Sequence, residues 1–526
     1  MTNYKNYTNH YSYDVTQYES FPYKQTHPNH LYTLGTLFGL KPKPFQQARI
    51  LELGCAAGGN LIPMAYSAPQ SHCVGIDLSA KQIEDGLKTV DALCLKNIEL
   101  RHQSILDFHK SEGEFDYIIC HGLYAWVNRE TQNKILQICQ ENLSEHGIAF
   151  ISYNTLPGWN MVRSIRDMMK YHVNGFTEPK EKASQARSIL QFIQTGIKDQ
   201  KTPYTQFLES EINLLSKQSD NYLLHDHLED DNNPVYFYEF VEHAKGYQLS
   251  YLSDTDIAQM FPANLPPALS QEISKITDIV RLGQYMDFVR NQRFRQTLLC
   301  HANVTINRNL QTHQVMDYSL KFEGIVEGDE SVLAIEHMPI VYKGSFITLT
   351  LKNHLTKIAL WILTKQRKPI AYRDWVNLVL KETKIQDRNR IQQILNEELN
   401  IMRLVLGGLI ALSSDSHNYA ITPTKNPKTT SLIQHQLNKS NLVTNQRHEV
   451  VRLNTVEKIL LKLCNGSIHQ KHLGRAFAES LIIENVSLYK EDGTVISNKE
   501  DVYRRSEYLV QDMLNLFAHN ALLIDA

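Results

Sequence analysis

The chain has 526 residues, more than one core usually serves, so two to four domains are expected, and a 42 % apolar composition allows all of them to fold as globules. A formal net charge of -2 gives no general attraction to nucleic acid or anionic lipid, and seven cysteines without a Cys-x-x-Cys pair exclude a zinc-ribbon pattern and point to reduced thiols. The polar opening Met-Thr-Asn-Tyr-Lys and the short apolar stretch from Leu404 to Leu412 suit neither a secretion signal nor a bilayer span, so a cytoplasmic protein without a membrane partner is expected.

The first 32 residues carry seven tyrosines, Tyr4, Tyr7, Tyr11, Tyr13, Tyr18, Tyr23 and Tyr32, too aromatic for a disordered tail. Residues 1–45 therefore read as a lid folded over a site, or as a static cover packed on a sheet. Ile50 to Leu53 is a buried-strand run that breaks at Gly54 into a turn, where Gly54, Ala56, Gly58 and Gly59 let the backbone approach a ligand closely. A second apolar strand, Cys73 to Ile76, ends in Asp77, whose carboxylate can accept from both hydroxyls of a ribose.

Gly54-x-Ala56-x-x-Gly59 also approaches the dinucleotide fingerprint. Glu52 decides between the two readings: a carboxylate two residues before the first glycine opposes a pyrophosphate and suits the cationic amino end of S-adenosylmethionine. Ala56, where many methyltransferases have a second glycine, should narrow the loop without closing it. Glu52, Gly54, Cys55, Ala56 and Gly58, with Asp77 and Leu78 beyond the second strand, form the expected donor site.

Next come a helix (Ala80 to Leu95), a strand (Ile98 to His102) and a turn (Ser104 to Asp107), where Ser104 and Ile105 are placed to bond and sandwich an adenine. A strand (Phe115 to Cys120), a helix (Thr131 to Leu143) and a strand (Gly147 to Tyr153) complete an alternation that argues for a parallel, doubly wound α/β sheet over residues 46–160. Methyl transfer from a sulfonium needs an uncharged nucleophile in line with the breaking bond, so a shaped aromatic pocket is expected rather than a dedicated base.

His121-Gly-Leu-Tyr-Ala-Trp-Val127 follows the fourth strand and Ser152-Tyr-Asn-Thr-Leu-Pro-Gly-Trp159 the fifth. Tyr124, Trp126, Tyr153 and Trp159 can line an amine channel, with core packing as the competing role, and Asn154 can aim a target amine. His121 borders donor and acceptor, as a contact, a base or a structural histidine.

Residues 161–225 turn helical, from Met161 to His172 and Lys180 to Ile197, and read as an insertion that offers a homodimer contact. Tyr236 to Ala244 is a helix, and strands at Tyr247 to Ser253 and Thr297 to Val304 either finish the earlier sheet or build a separate α+β domain over 226–310. His243 and His301 lack ligand spacing, so no metal is assigned.

From 320 to 526, helices at Leu351 to Thr364, Tyr372 to Lys381 and Arg388 to Leu406 precede strands at Gly408 to Ser413 and Asn418 to Thr422, an order like a winged helix. Val456 to Cys464, Arg505 to Phe517 and Ala521 to Ile524 suggest a weak second copy. The neutral chain favours a protein contact over nucleic acid for these units.

Six stretches carry a resemblance: Tyr13-Asp to Ser20-Phe-Pro-Tyr23 with Gln25-Thr-His-Pro28, the loop Glu52 to Asn60, the segments from His121 and from Ser152, Asn233-Pro-Val-Tyr-Phe-Tyr-Glu-Phe-Val-Glu-His243, and Phe294-Arg-Gln-Thr-Leu-Leu-Cys-His301. In them the chain resembles a bacterial family that joins a class I methyltransferase to a methyltransferase regulatory domain. Its best understood members are lysine methyltransferases acting on outer-membrane surface proteins. The resemblance implies S-adenosylmethionine at Glu52, Gly54, Asp77 and Ser104, and a protein lysine near Tyr124, Trp126, Tyr153, Asn154 and Trp159. A small-molecule N- or O-methyltransferase and a non-catalytic scaffold are the rival expectations.

Overall fold

The computed structural model describes residues 19–335, 337–414, 419–489, 493–496 and 498–525. Five of the seven N-terminal tyrosines, and with them most of the expected lid, lie outside the described residues. Strands β1 (Arg49–Leu53), β2 (His72–Asp77), β3 (Ile98–His102), β4 (Phe115–Cys120), β5 (Leu143–Leu156), β6 (Val235–Tyr236), β7 (Leu249–Asp254) and β8 (Phe294–His301) share one sheet. Its order is β3-β2-β1-β4-β5-β8-β7, with β6 alongside the end of β5. Strands β1 to β5 pair in parallel, whereas β8 runs antiparallel to β5 and β7 antiparallel to β8.

The apolar runs explain this placement. Ile50, Leu51 and Leu53 of β1 and Ile118 and Ile119 of β4 are fully buried, so both faces of the sheet need cover. Helices Leu61–Ser67, Ala80–Ala92 and Arg129–Asn142 lie between the strands in sequence and supply part of it. Ser79 and Asn128 start the latter two by accepting from the backbone N–H groups of Gln82 (3.3 Å) and Thr131 (3.0 Å). The chain passes from β1 outward to β2 and β3, then returns to β4 on the other side of β1. That reversal opens a crevice at the carboxyl ends of β1 and β4, where such sheets hold ligands.

Of the two arrangements open in the sequence, β7 and β8 complete the sheet, and the helical stretch leaves it after β5. Helices Gly158–Val173, Pro179–Ile197 and Pro203–Leu215 close around a separate core of Ile165, Met169, Leu190, Leu208 and Ile212. A buried charge cluster braces the late strands: Arg295 of β8 bonds Asp254 of β7 (2.6 Å) and Asp287 (2.8 Å), with its guanidinium 3.7 Å from the Phe237 ring centre. Such a pair is costly to bury but more costly to break, because removing one partner leaves the other charged and dry.

Beyond the sheet, strands Ser319–Phe322, Ile370–Ala371 and Ile410–Ser413 form a small sheet with helices His354–Thr364 and Tyr372–Thr383. The single helix expected from Arg388 to Leu406 is broken: a π-helical turn, Ile394–Glu398, follows Arg388–Gln393, and Asn400 at φ 52° restarts the chain as Ile401–Leu406. The final unit packs helices Ser431–Lys439, Thr455–Leu463, Gln470–Ile483 and Lys499–His519 with the hairpin Leu442–Thr444/Val450–Arg452. Its own core includes Ile433, Leu460, Phe477 and Phe517. Ala521 to Ile524, read as part of the weak second copy, is irregular backbone; of the strand expected at Asn418 to Thr422, residues 419–422 form none and Asn418 lies outside the described residues. Among the described residues, no helix is long and apolar enough to cross a membrane.

Candidate active site

The turn after β1 is built from left-handed backbone: Gly54 (φ 75°), Ala56 (φ 49°) and Gly58 (φ 74°). For Ala56 this costs about 1 kcal/mol or more, because its Cβ crowds the backbone there. Asp77 offsets the strain, since its Oδ2 accepts the Ala56 N–H at 2.8 Å. The other carboxylate oxygen accepts the Ser79 N–H at 2.8 Å, and the Gly54 and Cys55 N–H groups both donate to the Ile76 carbonyl. The loop and the end of β2 thus form one hydrogen-bonded unit. Leu78, Ser104 and Ile105 stand at the same edge: Asp77 pairs with His102 in register, the Leu78 carbonyl meets His102 Nε2 (3.1 Å), and Ser104 caps the turn by accepting from Leu106.

Glu52 lies opposite, between Gly75 of β2 and Ile119 of β4 in the sheet register. It is 4 % exposed, and its Oε1 accepts from Asn60 Nδ2 at 2.7 Å. Among the described residues its Oε2 has no partner. Burial pushes this carboxyl up to about 8; the Asn60 hydrogen bond acts against that shift and the Asp77 charge with it. A buried carboxylate oxygen without a donor is unfavourable until a cation reaches it, which fits the ammonium of an amino acid. Cys55, by contrast, is a buried thiol whose pKa burial raises well above its ordinary value, so it is no nucleophile.

The N-terminal segment rests directly on this loop. Ser20 Oγ accepts the Gly59 N–H at 2.7 Å, and the Tyr23 N–H donates to Asn60 Oδ1 at 3.0 Å. A Cβ at Gly59 would stand 2.1 Å from the Ser20 carbonyl oxygen. Gly59→Ala is therefore expected to push the segment off the loop at a cost of roughly 1–3 kcal/mol, read as a fall of the calorimetric midpoint. An unchanged midpoint would show that the segment does not bear on Gly59. The sequence places Tyr23 in the expected lid or cover, and Ser20, Tyr23 and Asn60 in stretches that carry the resemblance, but gives none of the three an individual role.

Tyr23 also stacks on His121 with ring centres 3.9 Å apart, and His121 lies parallel to Phe150 at 5.8 Å. Desolvation between these rings pulls the imidazole down to about 4, so it is neutral at pH 7. An imidazole with that value holds a proton too weakly to serve an amine as base. The ring is a wall.

The expected acceptor residues separate into two groups. Tyr124 and Tyr153 are 0 % and 1 % exposed and pack on Phe240, at 5.1 and 4.2 Å between ring centres. Their hydroxyls meet His243 Nδ1 (2.6 Å) and Thr297 Oγ1 (3.0 Å), so both rings belong to the core behind the site rather than to an open channel. Trp126 and Trp159 instead form an edge-to-face pair at 6.1 Å, and Trp159 Nε1 donates to Asn232 at 2.7 Å. Asn233 ties the same segment to the Ala125 and Val127 carbonyls at 2.6 and 3.1 Å. Asn154 is buried, and among the described residues its Nδ2 has no partner. Asn233 was legible only as the first residue of a family stretch, and Asn232, just before it, carried no signal in the sequence. A cleft of about 640 Å³ opens between Asn128, Arg129 and Gln132 on one side and Asp230–Val235 on the other, and neither Trp159 nor the donor loop is among its lining residues. Among the described residues no three His, Cys, Asp or Glu side chains are grouped to hold a metal.

Three families match parts of the chain: a methyltransferase domain over residues 45–211, a predicted methyltransferase regulatory domain over 219–301, and the PKMT C-terminal winged helix domain over 425–522. The solved structure of PKMT2 from Rickettsia typhi is 33 % identical, covers 97 % of this chain and 100 % of its own, and superposes with a TM-score of 0.87. The chain belongs to the PKMT methyltransferase family. The uncharacterized protein RP789 of Rickettsia prowazekii (strain Madrid E) is a further relative, 41 % identical over 98 % of this chain and 94 % of that protein. PKMT2 has also been solved with AdoHcy, the demethylated donor, and that structure superposes with a TM-score of 0.88. This PKMT-family protein is an S-adenosylmethionine-dependent methyltransferase. Within it the winged-helix match falls on the final unit, the one the sequence reading took for a weak second copy.

Proposed function

We propose that this enzyme methylates lysine amines of a protein substrate, and that Glu52 receives the ammonium of S-adenosylmethionine while Asp77 accepts from its ribose hydroxyls. The unpartnered Glu52 Oε2 carries the donor half of the reading. The likeness to PKMT2 along the whole chain, C-terminal unit included, supports the acceptor half. Gly54, Cys55, Ala56 and Gly58 supply close backbone approach, and Leu78, Ser104 and Ile105 border the base. The bound donor supplies an electrophilic methyl group on a sulfonium. Trp126 and Trp159 present aromatic rings that favour a cation, and the Asn154 carbonyl oxygen accepts from the incoming amine and so aims its lone pair.

The lysine reacts as the neutral amine: its lone pair forms the new N–C bond, and the S–C bond electrons remain on sulfur. Seven free cysteines, six of them buried, suit a reducing cytoplasm as the place of action. The helical excursion, with Tyr171 and Phe192 exposed, is the proposed homodimer contact.

Mass spectrometry of a cell lysate incubated with the enzyme and isotopically labelled donor tests the acceptor. Label on protein lysines is expected; label confined to small molecules would overturn the reading. Trp126→Ala should lower kcat roughly tenfold or more while AdoHcy affinity stays within about a factor of two, since the ring acts on the acceptor side. Equal loss of both would assign Trp126 to structure.

A further inference from the structure

The C-terminal unit contacts the methyltransferase domain through the helices that flank its sheet and through the N-terminal segment. Tyr66 meets Ser431 (2.9 Å), Lys439 bonds Thr89 (2.9 Å), and Lys24 pairs with Glu449 (3.5 Å). The deepest contact is made by the tip of the hairpin Leu442–Thr444/Val450–Arg452, where His448 is buried and its Nε2 lies 2.8 Å from Asn60 Oδ1.

The partners in this contact fix the orientation of the Asn60 amide and the proton on His448, while the Thr26 hydroxyl can donate to the Tyr23 carbonyl or to Asn60 Oδ1. The Tyr23 backbone N–H can only donate, so the Asn60 atom 3.0 Å from it is the carbonyl oxygen. The opposite end is therefore the NH₂ group, which donates to Glu52 Oε1 (2.7 Å) and to Thr26 Oγ1 (3.0 Å). Because His448 faces the same carbonyl oxygen as Tyr23, its Nε2 must carry the proton. Burial pulls the imidazole down to about 3, which keeps it in that neutral tautomer throughout the working range.

The hairpin is built to present this ring. His448 holds a left-handed backbone (φ 58°), disfavoured for any side chain, while Asn445 Oδ1 accepts from the Arg447 and Glu449 N–H groups at 2.9 Å each. Asn445 Nδ2 and Arg447 Nη1 donate to the Asn520 and His519 carbonyls, at 3.0 and 2.9 Å, anchoring the turn to the end of helix Lys499–His519. The imidazole also meets the His27 ring edge-on at 4.9 Å.

We propose that His448 is a positioning residue of the donor site: its Nε2–H orients the Asn60 amide, and Asn60 in turn holds the Glu52 carboxylate that meets the donor's ammonium. The C-terminal winged-helix unit is then part of the methyl-donor pocket, and donor affinity reports whether that unit is docked. This rests on the place of Glu52 in the donor site proposed above.

The test uses the full chain with AdoHcy as probe, measured by calorimetry between pH 6 and 9. His448→Phe keeps an aromatic ring without the donor and should weaken AdoHcy binding about tenfold, the order expected for a buried hydrogen bond that supports a charged group. His448→Gln retains an N–H donor and should stay within about threefold of wild type. The Phe variant should also need a higher pH to reach its full affinity, because a loosened Asn60 no longer favours the ionised Glu52 as strongly. Glu52→Gln separates the two layers of the argument. Wild-type affinity in His448→Phe together with weakened binding in Glu52→Gln overturns the relay and leaves the donor site standing, whereas wild-type affinity in Glu52→Gln overturns both. Equal loss of affinity in the Phe and Gln variants, with a lowered unfolding midpoint and an unmoved pH profile, assigns His448 to packing and also overturns the proposal.

Discussion

Asp77→Ala is expected to weaken S-adenosylmethionine and AdoHcy binding by roughly a hundredfold or more, measured by calorimetry on the purified protein. A carboxylate offers about four lone-pair sites, and backbone N–H groups of Ala56 and Ser79 take one on each oxygen. Charge-assisted bonds from a ribose diol at about 1.5–3 kcal/mol each account for a change of that size when both vanish. The substitution also strips the acceptor from Ala56, whose left-handed backbone it helps to hold, so the free protein should melt earlier as well. Asp77→Asn separates the effects. The amide keeps an acceptor for Ala56 but turns its NH₂ toward the Ser79 N–H and offers the diol a weaker acceptor, so the free protein should melt earlier, though by less than in Asp77→Ala, while affinity drops by about tenfold. Unchanged affinity in both variants would remove Asp77 from the donor site.

The second large effect is a proton. In the free protein Glu52, pushed up to about 8 by burial, is mostly protonated at pH 7, whereas the ammonium of the donor binds its carboxylate. Binding must then expel the proton. Donor affinity should rise with pH by up to about tenfold per unit below 8 and level off above it; calorimetry at pH 7 in buffers of different ionisation enthalpy should count the release of about nine-tenths of a proton.

Folding has the opposite profile. A carboxyl raised from its ordinary 4.5 to about 8 contributes most to stability of the free protein below the ordinary value, and that contribution is lost as pH rises through the window between the two. Glu52→Gln should abolish the proton release and flatten the affinity profile. A wild-type protein that binds AdoHcy without releasing protons would show that Glu52 is not the residue meeting the ammonium.

The donor loop was legible because its parts are local. Two short apolar strands, glycines where the backbone must turn left-handed, and acids at Glu52 and Asp77 all fall within the 28 residues from Ile50 to Asp77, and each residue type answers a demand of its own backbone or of the ligand. The aromatic residues after β4 and β5 were legible only as a group. Nothing in the sequence of Tyr124 or Tyr153 separates a ring facing a channel from a ring facing the core. Phe240 and His243, brought in by helix Phe237–Lys245, decide that, while Trp126 stays half-buried beside a buried Trp159. The addition of β7 and β8 to the sheet was equally open, because the antiparallel pairing of β7 with β8 is braced by partners such as Arg295, Asp254 and Asp287, which lie up to 41 positions apart.

What the sequence determined by itself is the reaction class: a glycine-rich bend between two acids needs particular residues at particular spacings, and local constraints of that kind are written along the chain. What tertiary structure decided is how the bend is closed and braced. Ser20 and Tyr23 come from before the sheet, and His448 comes from 388 positions beyond Asn60. A hydrogen bond across such a distance imposes no periodicity on the residues between its ends, so only the folded chain reveals it.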